Sequence, residues 1–402
     1  MFNQDVLVNI NEFISDMKDI LILSHINRAM YNYKFNVSIE CECYFIRSTT
    51  KIISTLKGNR NLYEFCCKKF NITKLTACSE MTDEDLRMIN PIELSCRSND
   101  NITDTSVSLF SKLQKLSPNK TLTNNALHCL TNLRYLDCSN NNRFTDDGLK
   151  YLKKLEVLLC NENITDEGLK YVINLKRLVC NKNITDRGLS YLTKLEELLL
   201  SNNKYITDNG LMYLTKLTEF SCTETITDIG LSYLPNLTDL HISTNYRITD
   251  EGFRNLTKLE TLVISEVQIT DIALQYIPNL TYFECYTYKG FTDEGIRHLT
   301  KLTHLSYDHD NLTDECLKYL PNLTTLYSSY NTKFTDEGLK YLSHLIELGC
   351  SKNNNFTDVG ISYLSKLQYL EYPYNHRYSK EVLDRIKNKY MNSKEALIEE
   401  DE

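Results

Sequence analysis

The sequence predicts an α/β solenoid, a row of short strand-plus-helix units stacked along one axis, with a parallel sheet on the concave side and short helices on the convex side. Three observations predict it. A tripeptide of an apolar residue, Thr and Asp recurs every 20–22 residues. Within each period apolar positions fall first three apart and then two apart, the spacings of a helical turn and of a strand. The 402 residues also exceed the roughly 250–300 at which a single hydrophobic core stops growing.

The tripeptide places Asp at positions 83, 104, 146, 166, 186, 208, 228, 250, 271, 293, 314, 336 and 358, and Asn124 fills the missing slot. Thr and Asp are positioned to cap the helical turn that follows, their side chains meeting free N–H groups at its positive end. Two residues after the Asp stands a small residue, usually Gly, as at Gly148, Gly168 and Gly210, which lets neighbouring turns approach closely. Gly also lowers helix propensity, so the turns are expected to be short or 3₁₀-like. Offsets +3, +6 and +9 are apolar, as in Leu169, Val172 and Leu175, and the chain then enters a strand whose inward positions are +12 and +14, as in Leu158/Cys160 and Leu178/Cys180. The resulting pattern, LxxLxCxxN…ITDxGLxxL, resembles the leucine-rich repeat. That resemblance implies a horseshoe over residues 61–376.

Two repeated residue types admit a functional and a structural reading. Cysteines at +14 stack from repeat to repeat but alternate with Leu200, Ile242 and Ile264, which favours core filling over metal ligation. The pairs Cys41/Cys43 and Cys66/Cys67 have no partner pair at zinc spacing, so no metal and no cofactor is expected. Tyrosines at +5 (Tyr151, Tyr171, Tyr191, Tyr213, Tyr233, Tyr276, Tyr319, Tyr341 and Tyr363) form a binding ladder or, as their regularity favours, cover the convex apolar layer with their hydroxyls in water.

With +12 and +14 inward, offsets +11, +13 and +15 face outward on the concave sheet. Fourteen strands centred from Leu94 to Leu370 give a surface on the order of 60 Å long at about 4.8 Å per step, the scale of a protein substrate. Val157, Leu159, Val179 and Leu199 put apolar groups there, and Tyr282, Glu284, Tyr286, His304, Asp308 and Tyr327 form an aromatic, charged cluster. Both are candidate target-binding sites; the alternatives are a covering loop or self-association for the first and chance variation in a Tyr-rich chain for the second. His304 and Asp308 have no nucleophile or Gly-rich phosphate loop beside them, so an enzyme is not expected.

Residues 1–35 lie outside the repeat and pattern as short amphipathic helices, with Val6, Leu7, Ile10, Phe13 and Ile14 on one apolar face and Ile20, Leu21, Leu23 and Ile26 on another. They form either a cap over the solenoid's open edge or something more specific. Asp5-Val6-Leu7, Phe13-Ile14, Asp19-Ile20-Leu21 and Ile26-Asn27-Arg28 resemble the successive segments of an F-box, although Phe2-Asn3 stands for its Leu-Pro and Met30 for its Trp. An F-box ahead of ITDxGL-type repeats is the arrangement of F-box/leucine-rich-repeat proteins. The resemblance implies an SCF-type receptor: Val6, Leu7, Ile10, Phe13, Ile20, Leu21, Leu23 and Ile26 would bind a Skp-type adaptor and, through it, a cullin, while the concave sheet holds the substrate.

The remaining segments are a connector at 36–60, a closing helix at 377–393 with Val382, Leu383, Ile386 and Tyr390 inward, and an acidic tail at 394–402 expected to be disordered. About 25 residues after Tyr378 are too few for an appended ligase domain. The net charge of −8 is spread along the chain, no apolar run has membrane-helix length, and Asp5, Glu12 and Asp16 interrupt what would be a signal segment. Nucleic-acid and membrane partners are therefore not expected, and the protein is expected inside the cell, in cytoplasm or nucleus. On that reading the 14 cysteines are reduced, and Asn-x-Ser/Thr triplets such as those at Asn163, Asn183, Asn279 and Asn322 are by-products of the repeat.

Overall fold

The computed structural model describes residues 35–38 and 70–388, apart from 78, 80, 88, 201, 202, 223, 287–289 and 373–377. The F-box-like stretch, Cys41/Cys43, Cys66/Cys67, Tyr390 and the acidic tail lie outside the described residues. The chain forms two compact units, Met1–Leu175 and Lys176–Glu402.

In the first unit the strands are β1 (Phe35–Ser38), β2 (Phe70–Thr76), β3 (Glu93–Ser95), β4 (Lys115–Ser117), β5 (Tyr135–Asp137) and β6 (Val157–Leu159). Each pairs in parallel with its predecessor, and the register brings Leu94, Leu116, Leu136 and Leu158 into one buried row. The pairing of β1 with β2 carries no sequence signal, because neither strand belongs to a complete ITDxGL period.

The second unit continues the scheme with β7 (Arg177–Cys180), β8 (Glu197–Leu200), β9 (Glu219–Cys222), β10 (Asp239–Asn245), β11 (Thr261–Val267), β12 (Tyr282–Cys285), β13 (His304–Tyr307), β14 (Thr325–Tyr327), β15 (Glu347–Gly349) and β16 (Tyr369–Glu371). Its inward rows are Leu178, Leu198, Phe220, Leu240 and their successors, and beside them Cys180, Leu200, Cys222 and Ile242. The cysteines at +14 are thus core residues. Burial pushes the Cys222 thiol up to about 12.

Between strands the chain descends in a four-residue helical turn, Asp146–Leu149 for example, followed by backbone bonds from Leu152 to Leu149 and from Leu155 to Leu152, both 3.0 Å. The apolar spacing of three therefore records successive i to i−3 turns, and Asp250–Phe253 is a 3₁₀ helix. A helix at 380–388 closes the second unit with Val382 and Ile386 buried.

What binds one repeat to the next is a set of polar ladders. Asn141, fully buried, donates through Nδ2 to the carbonyls of Asn119 (2.6 Å) and Leu122 (2.9 Å), and its Oδ1 accepts from the Arg143 and Phe144 N–H groups. Asn331 repeats the arrangement in the second unit, bonding the carbonyls of His309 and Leu312. This corrects one expectation: Asn119, Asn161 and Asn181 stand at +15, assigned to the outward face, yet all are buried. The backbone turns inward after the strand, and four hydrogen bonds offset the cost of burying the amide.

The Thr-Asp pair divides its work differently from the sequence reading. Thr335 caps its own turn, its Oγ1 accepting from the Glu337 N–H at 3.2 Å. The preceding repeat's Asp314 accepts from both the Thr335 N–H (2.8 Å) and hydroxyl (2.6 Å), so Asp is the rung to the next repeat. Small residues at +2 lie beneath that carboxylate: a Cβ on Gly210 would sit 2.6 Å from Asp186 Oδ1.

On the convex side the tyrosines are half-exposed, and Tyr171, Tyr276, Tyr341 and Tyr363 take cations over their rings. Lys153 Nζ lies 4.9 Å from the Tyr171 centroid in the first unit, and Lys318 lies 5.7 Å from Tyr341 in the second. The Asn-x-Thr triplets are also tied in, with Asn163 Nδ2 donating to the Asn142 carbonyl and Asn279 Nδ2 to the Thr257 carbonyl. Among the described residues no helix is long and apolar enough to cross a membrane.

Candidate protein-binding face

With the ladders closing each repeat edge, the outward positions of the strands are the ones left free to vary. The four apolar candidates all sit there. Val157 and Leu159 flank inward Leu158 on β6, half-buried, beside Tyr135 and Asp137 of β5. In the second unit Val179 and Leu199 are direct neighbours across β7 and β8, and Ser221 follows on β9.

The aromatic candidates lie on β12 to β14, or at their ends, and form one contiguous group. Register sets Tyr282 opposite His304, and the rings stack with centroids 4.0 Å apart and planes 7° apart. Tyr327 lies 5.9 Å from His304 on the other side. Glu284 gathers the group, accepting from the Tyr282 hydroxyl and, at 3.0 Å, from the Tyr286 hydroxyl. Its Oε1 is 3.5 Å from His304 Nε2, too long for a well-formed bond, and that nitrogen is buried without another partner. Burial holds the His304 imidazole below its usual range, against the opposing pull of Glu284 and Glu347. Burial, followed by the bond to Glu347 at 3.0 Å, pushes the Tyr327 phenol up to about 12. Asp308 stands slightly apart, its Oδ1 accepting from the Ser329 N–H at 2.8 Å. Ser306, at an outward strand offset, is buried, with Tyr286 against it.

A third group escaped the sequence reading. Glu197, Glu219 and Asp239 occupy facing positions on β8, β9 and β10, three carboxylates in one cross-strand row. Arg177, at the end of the row, lies 2.8 Å from Glu197. Burial and then the Glu219 charge raise the Glu197 carboxyl above its usual 4.5. The sequence signal was an acidic residue immediately before the +12 apolar position in three successive repeats.

Comparison with known proteins agrees with this architecture. A family model described as "Leucine Rich repeat" matches residues 129–153 and 191–215. These are leucine-rich repeats. Among solved structures, an internalin from Listeria monocytogenes is 25% identical, with 77% of this chain and 86% of that one covered and a TM-score of 0.50. A leucine-rich-repeat protein of Leptospira interrogans is 19% identical over 79% of this chain and 93% of its own, with a TM-score of 0.51. A chain of the Drosophila Toll–Spatzle complex is 14% identical over 87% of this chain and 52% of its own, with a TM-score of 0.53. The search of curated proteins gave no match. The chain has the fold of a leucine-rich-repeat solenoid, in which the outward strand positions are the ones that differ from repeat to repeat.

Proposed function

We propose that this scaffold is the substrate-recognition subunit of an SCF-type cullin–RING ubiquitin ligase. Residues 1–35 bind a Skp-type adaptor and the concave strands hold the target. The observation that carries the binding half is the contrast within each repeat: inward Leu, Asn and Asp are fixed by core and ladders, while outward positions carry aromatic, apolar and acidic groups with no such role. The ligase half rests on the F-box-like sequence ahead of ITDxGL repeats. In this reading the protein supplies proximity and orientation, and the chemistry belongs to the conjugating enzyme.

The test is affinity capture of the full chain from a eukaryotic lysate, scored for a Skp-type adaptor and a cullin. Both are expected in the wild-type sample and absent from a Leu7→Asp/Ile10→Asp variant whose thermal melt is unchanged. Absence of the adaptor from the wild type, or recovery indifferent to the two charges, rejects the ligase half and leaves a non-degradative interaction scaffold with a capped N-terminus.

A further inference from the structure

The strands β8 to β16 hold seven carboxylates and not one Lys or Arg. Three of the carboxylates, Glu197, Glu219 and Asp239, face one another across neighbouring strands, an arrangement that disfavours the fold because like charges oppose directly. The tyrosines add a second, independent peculiarity. On the convex side of the same unit three of the seven repeat tyrosines, Tyr276, Tyr341 and Tyr363, have an Arg or Lys within 5.5–5.7 Å of the ring centre. On the concave side Tyr282, Tyr286 and Tyr327 have none among the described residues, and each instead hydrogen-bonds a carboxylate.

From these we infer that the outward face of β8–β16 is a docking surface for a basic, extended protein segment, its Arg or Lys side chains set against the Glu197/Glu219/Asp239 row and over the Tyr282/Tyr286/Tyr327 rings. The inference rests on the concave face being the target surface, and it adds what the target must present. Cations bound here neutralise facing carboxylates and occupy ring faces ringed by negative charge, the setting in which cation–π attraction is strongest. The two subsites also fix a spacing. From β9 to β13 is four strand steps, about 19 Å at 4.8 Å per step, which an extended chain crosses in about six residues.

The experiment is fluorescence anisotropy on the full chain with a labelled peptide carrying two Arg-Lys pairs about six positions apart, joined by Gly and Ser. A peptide with Glu in place of every Arg and Lys serves as control. The basic peptide is expected to bind, more weakly as salt rises, and the acidic one not at all. Glu219→Lys/Asp239→Lys should weaken binding roughly tenfold or more, and the shape-preserving Glu219→Gln/Asp239→Asn and Tyr282→Leu/Tyr327→Leu variants several-fold each. Basic-peptide binding that is undiminished in all three variants, or matched by the acidic peptide, overturns the proposal. A Ser221→Trp/Thr261→Trp variant, which obstructs the face without altering charge, separates the two levels. If it abolishes capture of the cellular target while charge reversal leaves capture intact, the concave target surface stands and the basic partner falls.

Discussion

In the first unit Lys115 Nζ stands 4.8 Å over the Tyr135 ring, Lys74 lies 3.9 Å from Glu93, and Arg97 pairs with Asp137 across two strands. In the second unit Tyr282 stands at the same offset as Tyr135, and Tyr327 two residues further along its own strand; among the described residues neither ring has a cation above it, and neither Glu219 nor Asp239 has a cationic partner. Repeat, ladders and core are common to both, so the difference lies entirely in side chains that the fold does not constrain. A surface that neutralises itself needs no ligand; one that leaves carboxylates facing carboxylates carries a cost that a binding partner can remove. The comparison teaches where to look for function in a solenoid. The informative positions are those at which one stretch of the array abandons a local pairing that another stretch keeps.

If the units share their stabilising machinery, equivalent core truncations must cost the same in both. Leu155→Ala in the first and Leu195→Ala in the second, both fully buried, should each lower unfolding stability by about 2–5 kcal/mol, measured by urea titration. The ladders provide the next largest effect. Asn141→Ala and Asn331→Ala each leave two carbonyls and two N–H groups without the side-chain partner they now have. At about 1–3 kcal/mol per orphaned buried group, partly relieved by water, a loss of at least about 2 kcal/mol is expected in either unit. A marked inequality between the units in either series breaks the comparison, because the concave faces then would not be their only difference.

The core was legible because inward positions recur with period two on strands and three on turns, and no tertiary knowledge is needed to see Leu158/Cys160 repeat as Leu178/Cys180. Asn161 was misplaced by the same rule. A polar residue one step past an alternating strand reads as solvent-facing, and only the partner repeat about twenty residues away supplies the carbonyls that make its burial tolerable. That the aromatic residues lie side by side was legible, since Tyr282 and His304 share an offset. Their closed hydrogen-bonding around Glu284, with Ser306 buried, depends on rotamers that offsets do not encode. The carboxylate row was overlooked for a different reason: each acid read alone is an ordinary outward strand residue, and only the offset shared by three successive repeats sets them face to face.

The smallest predicted effect separates the units by sign. Asp137 is buried and accepts from the Arg97 guanidinium, the Ser139 hydroxyl at 2.6 Å and the Ser139 N–H at 3.2 Å. Asp137→Asn should therefore destabilise by about 1–3 kcal/mol. Glu219→Gln should do the opposite, stabilising by about 0.2–1 kcal/mol, because it removes the charge that opposes Glu197 and Asp239 directly. Salt screens exposed charges, so the gain should shrink at high ionic strength. It should shrink with acid too. Glu197 titrates above its usual 4.5 in the fold, so its ionised form opposes folding, and the penalty is complete above the folded pKa. The penalty fades as pH falls through that value and is gone below the unfolded one, where both states are protonated. Urea titrations of wild type and Glu219→Gln across the carboxylate range should therefore converge at low pH and separate near neutrality. Parallel curves would mean that the row's charges do not interact, and the second unit's face would then lack the strain that distinguishes it from the first.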